Sequence, residues 1–359
     1  MSLKKRHYIS LLTKRHYISL LIVFILAIAL NFYPLEKYVM RPGNAYNVED
    51  FIKVTNGDVD DEGSFSLMTV SIAPATPTTY LLAKFNNYHD ILDVDEVRQQ
   101  GEDDTEYQVR QLKLMSDSQF NALYVAFKKA NLPYTVSYRG VYVLNVLEDG
   151  AADGVLQAGD ILTELDGQII SRQTELVKLL SDKNKGDKVE LVIERDNKLI
   201  TKNLTLKEIP DSNGRIGLGI TFAESKTINT EPTVDADTEK IGGPSAGLMF
   251  TLEILNQLLD EDITKGYMIA GTGTMNEDGT VGRIGGVEKK VVAADKAGME
   301  IFFAPDDEIT EQMKKNNPTI VSNYEAAAKT AKEIGTTMKI VPVKTLDDAL
   351  NYLNTLQPK

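Results

Sequence analysis

An uncharged segment near the N-terminus sets the strongest limit on the architecture of this chain. Residues 16–35 contain no Asp, Glu, Lys or Arg, and Leu20–Leu30 is an unbroken apolar run. A helix of about 20 residues rises about 30 Å, which matches the hydrocarbon core of a bilayer. Five basic residues within the first fifteen would hold the preceding end in the cytoplasm. We therefore predict a cytoplasmic tail and a single-pass transmembrane anchor over residues 1–35, with the rest of the chain extracellular at the cell membrane.

A cleaved signal peptide is the competing interpretation of the same segment. Ala27-Ile28-Ala29 is an A-x-A cleavage pattern near the end of the apolar run. The run continues past this site to Tyr33, which favours the anchor. In both cases the remaining residues work outside the cytoplasm, and the absence of cysteine suits an exported protein that uses no disulfides.

Composition removes several classes of function. The 359 residues include no cysteine and only three histidines, so thiol nucleophiles and thiolate metal sites are excluded. Removing the five N-terminal positive charges from a formal net charge of −13 leaves −18 on the remaining residues, which argues against nucleic acid as a partner. The half calcium loop that begins at Asp58 has Thr69 where the bidentate Glu should stand. We predict no metal site and no cofactor.

Residues 137–208 form a strand-rich segment with short turns. The run GVYVLNVLEDGAADGVLQAGDILTELDGQII resembles a PDZ domain of the bacterial type. The resemblance implies a groove between the strand Val141–Leu144 and the helix Thr174–Leu180, where an extended peptide adds as a further strand. The alternative is a spacer that binds nothing. The residues predicted to contact the peptide are Arg139, Gly140, Val141, Tyr142 and Val143.

Ser245 is the candidate nucleophile. The small residues Gly242–Gly247 precede a long apolar helix, whose N-terminus presents unpaired N–H groups and the positive end of the helix dipole. These groups suit a reacting serine and its oxyanion, so Gly243, Pro244 and Ala246 are predicted as backbone support. The alternative is that Ser245 only begins a core helix, as serine commonly does.

Lys290 is the candidate base. At 100° per residue, Lys290 falls within the apolar stripe of the helix that follows Gly285-Gly286, whereas Lys289 falls on the opposite face. A lysine on a packed face has a lowered pKa or a partner, and a lowered pKa suits a general base. A lysine that covers apolar surface with its stem is the alternative. Because His89 is the only histidine beyond the apolar segment, a serine here has lysine as its available base.

The two blocks together resemble the proteolytic domain of the Lon family. They read GGPSAGLMFTLEIL and IAGTGTMNEDGTVGRIGGVEKKVVAADKAGMEIFFAP. The resemblance implies that Ser245 is the nucleophile and Lys290 the base. It also implies that residues 36–136 and 209–359 form one α+β proteolytic domain, into which the PDZ domain of residues 137–208 is inserted.

This sequence departs from the family pattern at several points. No G-x-x-x-x-G-K-[ST] motif occurs, so ATP-driven unfolding is not expected. Gly242 stands where the family often has an acid. Ala270 stands where a threonine often supports the lysine, and the sequence leaves open whether Thr272 or Thr274 takes that role.

The combination of anchor, PDZ domain and Lon-like domain is similar to the ATP-independent surface proteases of Gram-positive bacteria, one type of which trims a secreted peptide pheromone. This resemblance implies an extracellular Ser-Lys endopeptidase for short or unfolded peptides or exposed tails, which could form homo-oligomers. The non-enzymatic alternative is a surface scaffold with a degenerate protease fold. A signal-peptidase-like enzyme is disfavoured because Ser245 lies far from the apolar segment.

Overall fold

The computed structural model of the protein describes most of the chain. The described residues are 16–25, 28, 30–58, 62–99, 101–210, 212–238 and 241–359. The chain forms two compact units, one of Met1–Gly43 with Val70–Val97 and one of Asn44–Thr69 with Arg98–Lys359.

The described part of the N-terminal segment contains no membrane-spanning helix. Its helical residues are 16–25, 28 and 30–32, and no helix in the described ranges is long and apolar enough to cross a bilayer. The predicted transmembrane helix is therefore wrong as a feature of this fold. Residues 1–15, Ala27 and Ala29 lie outside the described residues.

The first unit is a small β-structure with one short capped helix. Its elements are β1 (Lys37–Asn47) and β3 (Ser64–Pro74), each shared with the second unit, and α1 (Pro77–Ala83), β4 (Asp90–Asp93) and α2 (Val94–Val97). The start of β1 pairs antiparallel with β4. The Thr76 side chain accepts from the Thr79 N–H and so caps α1.

A parallel sheet with helices on both faces forms one part of the second unit. Its strand order is β18-β17-β14-β3 with β1 beyond β3, and the pairs from β18 to β3 are parallel. Its strands and main helices are β14 (Met268–Gly271), β17 (Ile301–Pro305), β18 (Lys339–Val343), α3 (Asp104–Ala130), α5 (Gly247–Leu258), α6 (Val287–Lys296), α8 (Asn323–Ile334) and α9 (Leu346–Leu353). Because alternate residues face opposite sides of a strand, Phe303 packs with α3, α5 and α9, whereas Phe302 packs with α6 and α8.

Shorter elements connect this sheet to its surroundings. They are a 3-10 turn (Val48–Asp50), β2 (Ile52–Val54), β13 (Val234–Ala236), β15 (Thr274–Met275), β16 (Val281–Gly282) and α7 (Glu311–Asn316). Strand β13 pairs with β2, and β15 pairs with β16 in a hairpin. The hairpin turn lies at Asn276–Gly279.

A second sheet, which is antiparallel, is formed by residues that lie between β3 and β14 in the sequence. Its strand order is β12-β5-β6-β8-β9, with β7 beside β6. Its elements are β5 (Tyr134–Val146), β6 (Ile161–Leu165), β7 (Gln168–Ile169), α4 (Gln173–Ser181), β8 (Lys188–Arg195), β9 (Lys198–Thr205) and β12 (Ile220–Thr230), with the small pair β10 (Lys207–Glu208) and β11 (Ile216–Gly217) nearby. Strand β12 pairs with β5 along its length, so the sheet extends beyond the predicted segment 137–208. Strands β8 and β9 form a hairpin that turns at Asp196-Asn197, and both residues have positive φ.

Candidate active site

Ser245 lies in the loop that leads into the buried helix α5. A Cβ atom at Gly247 would lie 2.7 Å from the Met275 nitrogen and 3.1 Å from the Ser118 hydroxyl oxygen. Only glycine allows α3, α5 and the β15–β16 hairpin to approach one another this closely. Gly247 therefore fixes the start of α5, and with it the loop that carries Ser245.

Lys290 reaches Ser245 from helix α6. Gly286, with φ of 69°, precedes the first residue of this helix. The Lys290 side chain is 2% exposed, and its Nζ lies 2.7 Å from Ser245 Oγ. Lys289 is also buried, with 6% exposure. Burial therefore does not separate the two lysines, whereas the contact with Ser245 does.

Burial also sets the protonation of Lys290. Removing the ammonium group from water lowers the pKa of Lys290 from 10.5 to about 7. No carboxylate in the described part of the chain forms an ion pair that would raise the pKa of this lysine again. A large fraction of the amine is therefore neutral near pH 7 and can accept a proton.

Thr272 connects the lysine to the serine. Lys290 Nζ donates to Thr272 Oγ1 at 2.9 Å, and the Thr272 hydroxyl donates to the Ser245 carbonyl oxygen at 3.1 Å. Thr272 follows Ala270 by two residues, so its side chain faces the same side of the extended chain. Thr274 lies instead against Gly282 in the hairpin. Of the two threonines that the sequence leaves open, the structure places Thr272 at the lysine.

Two backbone N–H groups beside Ser245 are available to bind an oxyanion. The Gly243 N–H donates to the Gln111 carbonyl at 3.0 Å, and Pro244 has no N–H. Gly243 and Pro244 are therefore wrong as predicted oxyanion donors. Among the described residues, the N–H groups of Ser245 and Ala246 have no acceptor. Both precede α5, where the helix dipole favours negative charge.

The predicted peptide-binding strand has no free edge. Val141 and Tyr142 of β5 pair with β6 on one side and with β12 on the other. Val143 likewise pairs with β12 and exchanges backbone hydrogen bonds with the turn before β6. The Arg139 guanidinium forms an ion pair with Glu194 at 2.9 Å. The prediction that a peptide pairs along this strand is therefore wrong for its residues, Arg139, Gly140, Val141, Tyr142 and Val143.

The free edge on this side of the sheet belongs to β12. The chain enters β12 through Leu218 and Gly219, the latter with φ of 74°. Their carbonyls accept hydrogen bonds, but their N–H groups have no acceptor within the described ranges. Helix α4 contacts β11 beside this turn. The sequence signal for the turn is the Gly-Leu-Gly run at 217–219, which sequence reasoning missed.

Two families match separate parts of the chain. Residues 121–206 match the PDZ domain, and residues 234–354 match the Lon protease (S16) C-terminal proteolytic domain. The chain is 32% identical over 126 residues to a probable periplasmic serine endoprotease, DegP-like, of Pseudomonas savastanoi pv. phaseolicola, covering 30% of this chain and 26% of that protein. It is 39% identical over 72 residues to the mitochondrial Lon protease homolog of Neurospora crassa, covering 20% of this chain and 6% of that protein.

A solved PDZ domain of an SdrC-like protein from Listeria monocytogenes is similar at 36% identity, with 25% of this chain and 93% of that chain covered and a TM-score of 0.24. The chain spans about a quarter of the DegP-like relative and a smaller part of the Lon homolog. Ser245 and Lys290 both lie within the segment that matches Lon. The two family matches identify a PDZ domain over residues 121–206 and a Lon protease (S16) C-terminal proteolytic domain over residues 234–354 of this chain.

Proposed function

We propose that the chain is an ATP-independent serine endopeptidase with Ser245 as nucleophile and Lys290 as general base. The observation that carries the proposal is the 2.7 Å contact between Lys290 Nζ and Ser245 Oγ. The lysine is buried with a pKa of about 7, so it can deprotonate a serine without help from histidine. The N–H groups of Ser245 and Ala246 have no acceptor among the described residues. They can donate to the negative charge that develops on the carbonyl oxygen during acyl transfer.

The reaction follows from these positions. Neutral Lys290 takes the proton of Ser245 Oγ as that oxygen attacks the scissile carbonyl carbon, and the carbonyl π electrons move to oxygen. The N–H groups of Ser245 and Ala246 donate to this oxyanion. When the C–N bond breaks, Lys290 gives its proton to the leaving amine. Water then attacks the acyl-enzyme, Lys290 accepts its proton, and that proton returns to Ser245 as the peptide acid leaves.

Labelling with a fluorophosphonate tests the nucleophile and the base together. The rate of Ser245 labelling should rise with pH through a midpoint near 7 and then level off, because only neutral Lys290 can take the serine proton. Peptide mapping by mass spectrometry identifies the labelled residue. If Ser245 stays unlabelled while a known serine hydrolase in the same tube is labelled, the PDZ-bearing scaffold becomes the better interpretation.

Thr272→Val should lower kcat for peptide hydrolysis roughly tenfold. Valine keeps the shape of threonine, but it can neither accept from Lys290 nor donate to the Ser245 carbonyl. Steady-state kinetics with a fluorogenic peptide measures the change. Thr337→Val is the control, since Thr337 is exposed before β18. Equal kcat values for Thr272→Val and the wild type would remove Thr272 from the mechanism.

The proposed substrates are short or unfolded peptides and exposed protein tails. The chain has no P-loop motif with which to drive unfolding by ATP hydrolysis, so a substrate must arrive already extended. A secreted peptide such as a pheromone belongs to this class. Incubating the protein and its Ser245→Ala variant with secreted peptides, followed by mass spectrometry, tests the proposal. Cleavage of folded proteins in preference to peptides would contradict it.

We also propose that the PDZ domain binds peptides along the free edge of β12. An extended peptide can add to this edge, and its C-terminal carboxylate can accept from the N–H groups of Leu218 and Gly219. Peptides with a free carboxyl end should bind in titrations, and their amidated counterparts should bind more weakly. Equal affinity for the free and the amidated peptides would contradict the proposal that the N–H groups of Leu218 and Gly219 bind the carboxylate.

For location, we propose that the catalytic part works outside the cytoplasm. A basic cluster, an apolar run and the A-x-A pattern at 27–29 together are typical of an export signal. Protease added to intact cells should digest the exported part of the chain while leaving a cytoplasmic marker whole. Protection of the chain in that experiment would contradict the proposal.

A further inference from the structure

We propose that Ser118 on helix α3 is a positioning residue that orients the oxyanion-binding N–H of Ser245. This inference rests on the function proposed above. The Ser118 hydroxyl donates to the Pro244 carbonyl oxygen at 3.1 Å, and Ser118 is 3% exposed. Among the described residues, Ser118 is the side-chain donor to the Pro244 carbonyl.

The geometry of one peptide unit connects Ser118 to the oxyanion. The Pro244 carbonyl and the Ser245 N–H belong to the same planar peptide group, and in a trans peptide they point in opposite directions. A hydrogen bond that holds the carbonyl toward α3 therefore holds the N–H on the other side. That N–H is one of the two beside Ser245 for which the described residues supply no acceptor.

The following peptide group is held in the same manner from a different element. The Ser245 carbonyl accepts from the Gly273 N–H at 3.0 Å and from the Thr272 hydroxyl at 3.1 Å. This pair of bonds turns the Ala246 N–H away from β14. The two adjacent oxyanion donors are thus oriented by separate elements, and Ser118 supplies the single bond on the α3 side.

Helix α3 also contacts the hairpin that follows Thr272. Asn121, one turn after Ser118, donates to the Met275 carbonyl at 2.8 Å in the hairpin that follows Thr272. The Ser118 hydroxyl oxygen would lie 3.1 Å from a Cβ atom at Gly247, so Ser118 is also close to the first residue of α5. Because α3 precedes the segment that matches Lon, its contribution is not visible in the two catalytic sequence blocks.

Ser118→Ala should lower kcat about five- to thirtyfold and leave KM nearly unchanged, because the oxyanion forms only after substrate is bound. The affinity of a peptide aldehyde should fall by a similar factor, since it forms a tetrahedral adduct with Ser245. The pH midpoint near 7 should stay in place, because the contact between Lys290 and Ser245 is untouched. Ser118→Cys, with a weaker donor of similar shape, should give an intermediate kcat.

Ser116→Ala is the matched control, because Ser116 is exposed on the same helix. It should keep the kcat and aldehyde affinity of the wild type. A kcat within twofold of wild type in both Ser118 variants would overturn the inference, as would a shift of the pH midpoint that accounts for the whole loss. If Ser118→Ala does not fold, the Ser118→Cys result decides. A wild-type protein that cleaves no peptide and leaves Ser245 unlabelled would instead refute the proposed function.

Discussion

Ser245→Ala should abolish peptide hydrolysis and lower kcat by about 10⁴-fold or more. The Ser245 oxygen is the atom that forms the bond to the substrate, and its described side-chain contact is with Lys290 Nζ. Removing that oxygen takes little packing from the fold, so the melting temperature should not fall. Mass spectrometry of peptide products and a thermal melt measure the two effects.

The Ser116→Ala variant serves as the control for Ser245→Ala too, since it removes an exposed serine hydroxyl elsewhere in the same unit. It should retain wild-type activity. Turnover within tenfold of wild type in purified Ser245→Ala protein would show that another residue is the nucleophile. It would refute the Ser-Lys mechanism even if Lys290 proved essential.

Lys290→Met should lower kcat by about 10³-fold or more, because methionine fills the same space and cannot accept a proton. Lys289→Met should retain most of the activity, since Lys290 is the lysine within 2.7 Å of Ser245 Oγ. Both variants lose one buried ammonium group from neighbouring positions on α6, so the comparison separates base catalysis from packing. An active Lys290→Met variant beside an inactive Lys289→Met variant would assign the base to Lys289.

Lys290→Met should also change the stability of the protein. The pKa of Lys290 is about 7 in the folded protein and about 10.4 in an unfolded chain, so between these values the unfolded state binds more protons. The free energy of unfolding of the wild type should therefore rise with pH across this window. The Lys290→Met variant has no lysine that must lose a proton on folding, so near pH 7 its free energy of unfolding should exceed that of the wild type. This difference should narrow toward pH 10. Parallel stability curves for the two proteins would contradict the lowered pKa.

The proposed catalytic pair could be inferred from the sequence because its signals are local. Small residues before an apolar helix mark Ser245, and the 3.6-residue period places Lys290 on a packed face. The same period places Lys289 opposite the apolar stripe, but Lys289 is buried too. The choice between Thr272 and Thr274 could not be made in this way, since both follow β14 and only the position of α6 selects one. Nor could Gly243 be excluded as a donor, because its N–H is taken by Gln111, more than a hundred residues earlier.

The wrong predictions of the spanning helix and of the peptide-binding strand have related causes. The strand Val141–Leu144 has the sequence of a peptide-binding strand, but β12 returns about eighty residues later and pairs with it. An apolar run permits a spanning helix without requiring one, and no helix in the described ranges is long and apolar enough to cross a bilayer. In both cases sequence pattern indicates what a segment can do, whereas its partner or its length in the fold decides what it does.

The sequence by itself therefore indicated the proposed chemistry of this protein: a serine at a helix N-terminus, a lysine on an apolar face and no cysteine to compete with them. Hydrophobic period and helix-end geometry are properties of neighbouring residues, so they can be read without a fold. The tertiary structure alone decided which threonine holds the lysine, which N–H groups remain for the oxyanion and which strand edge is open. Each of these depends on a hydrogen bond between residues far apart in the chain, and only packing brings such residues together.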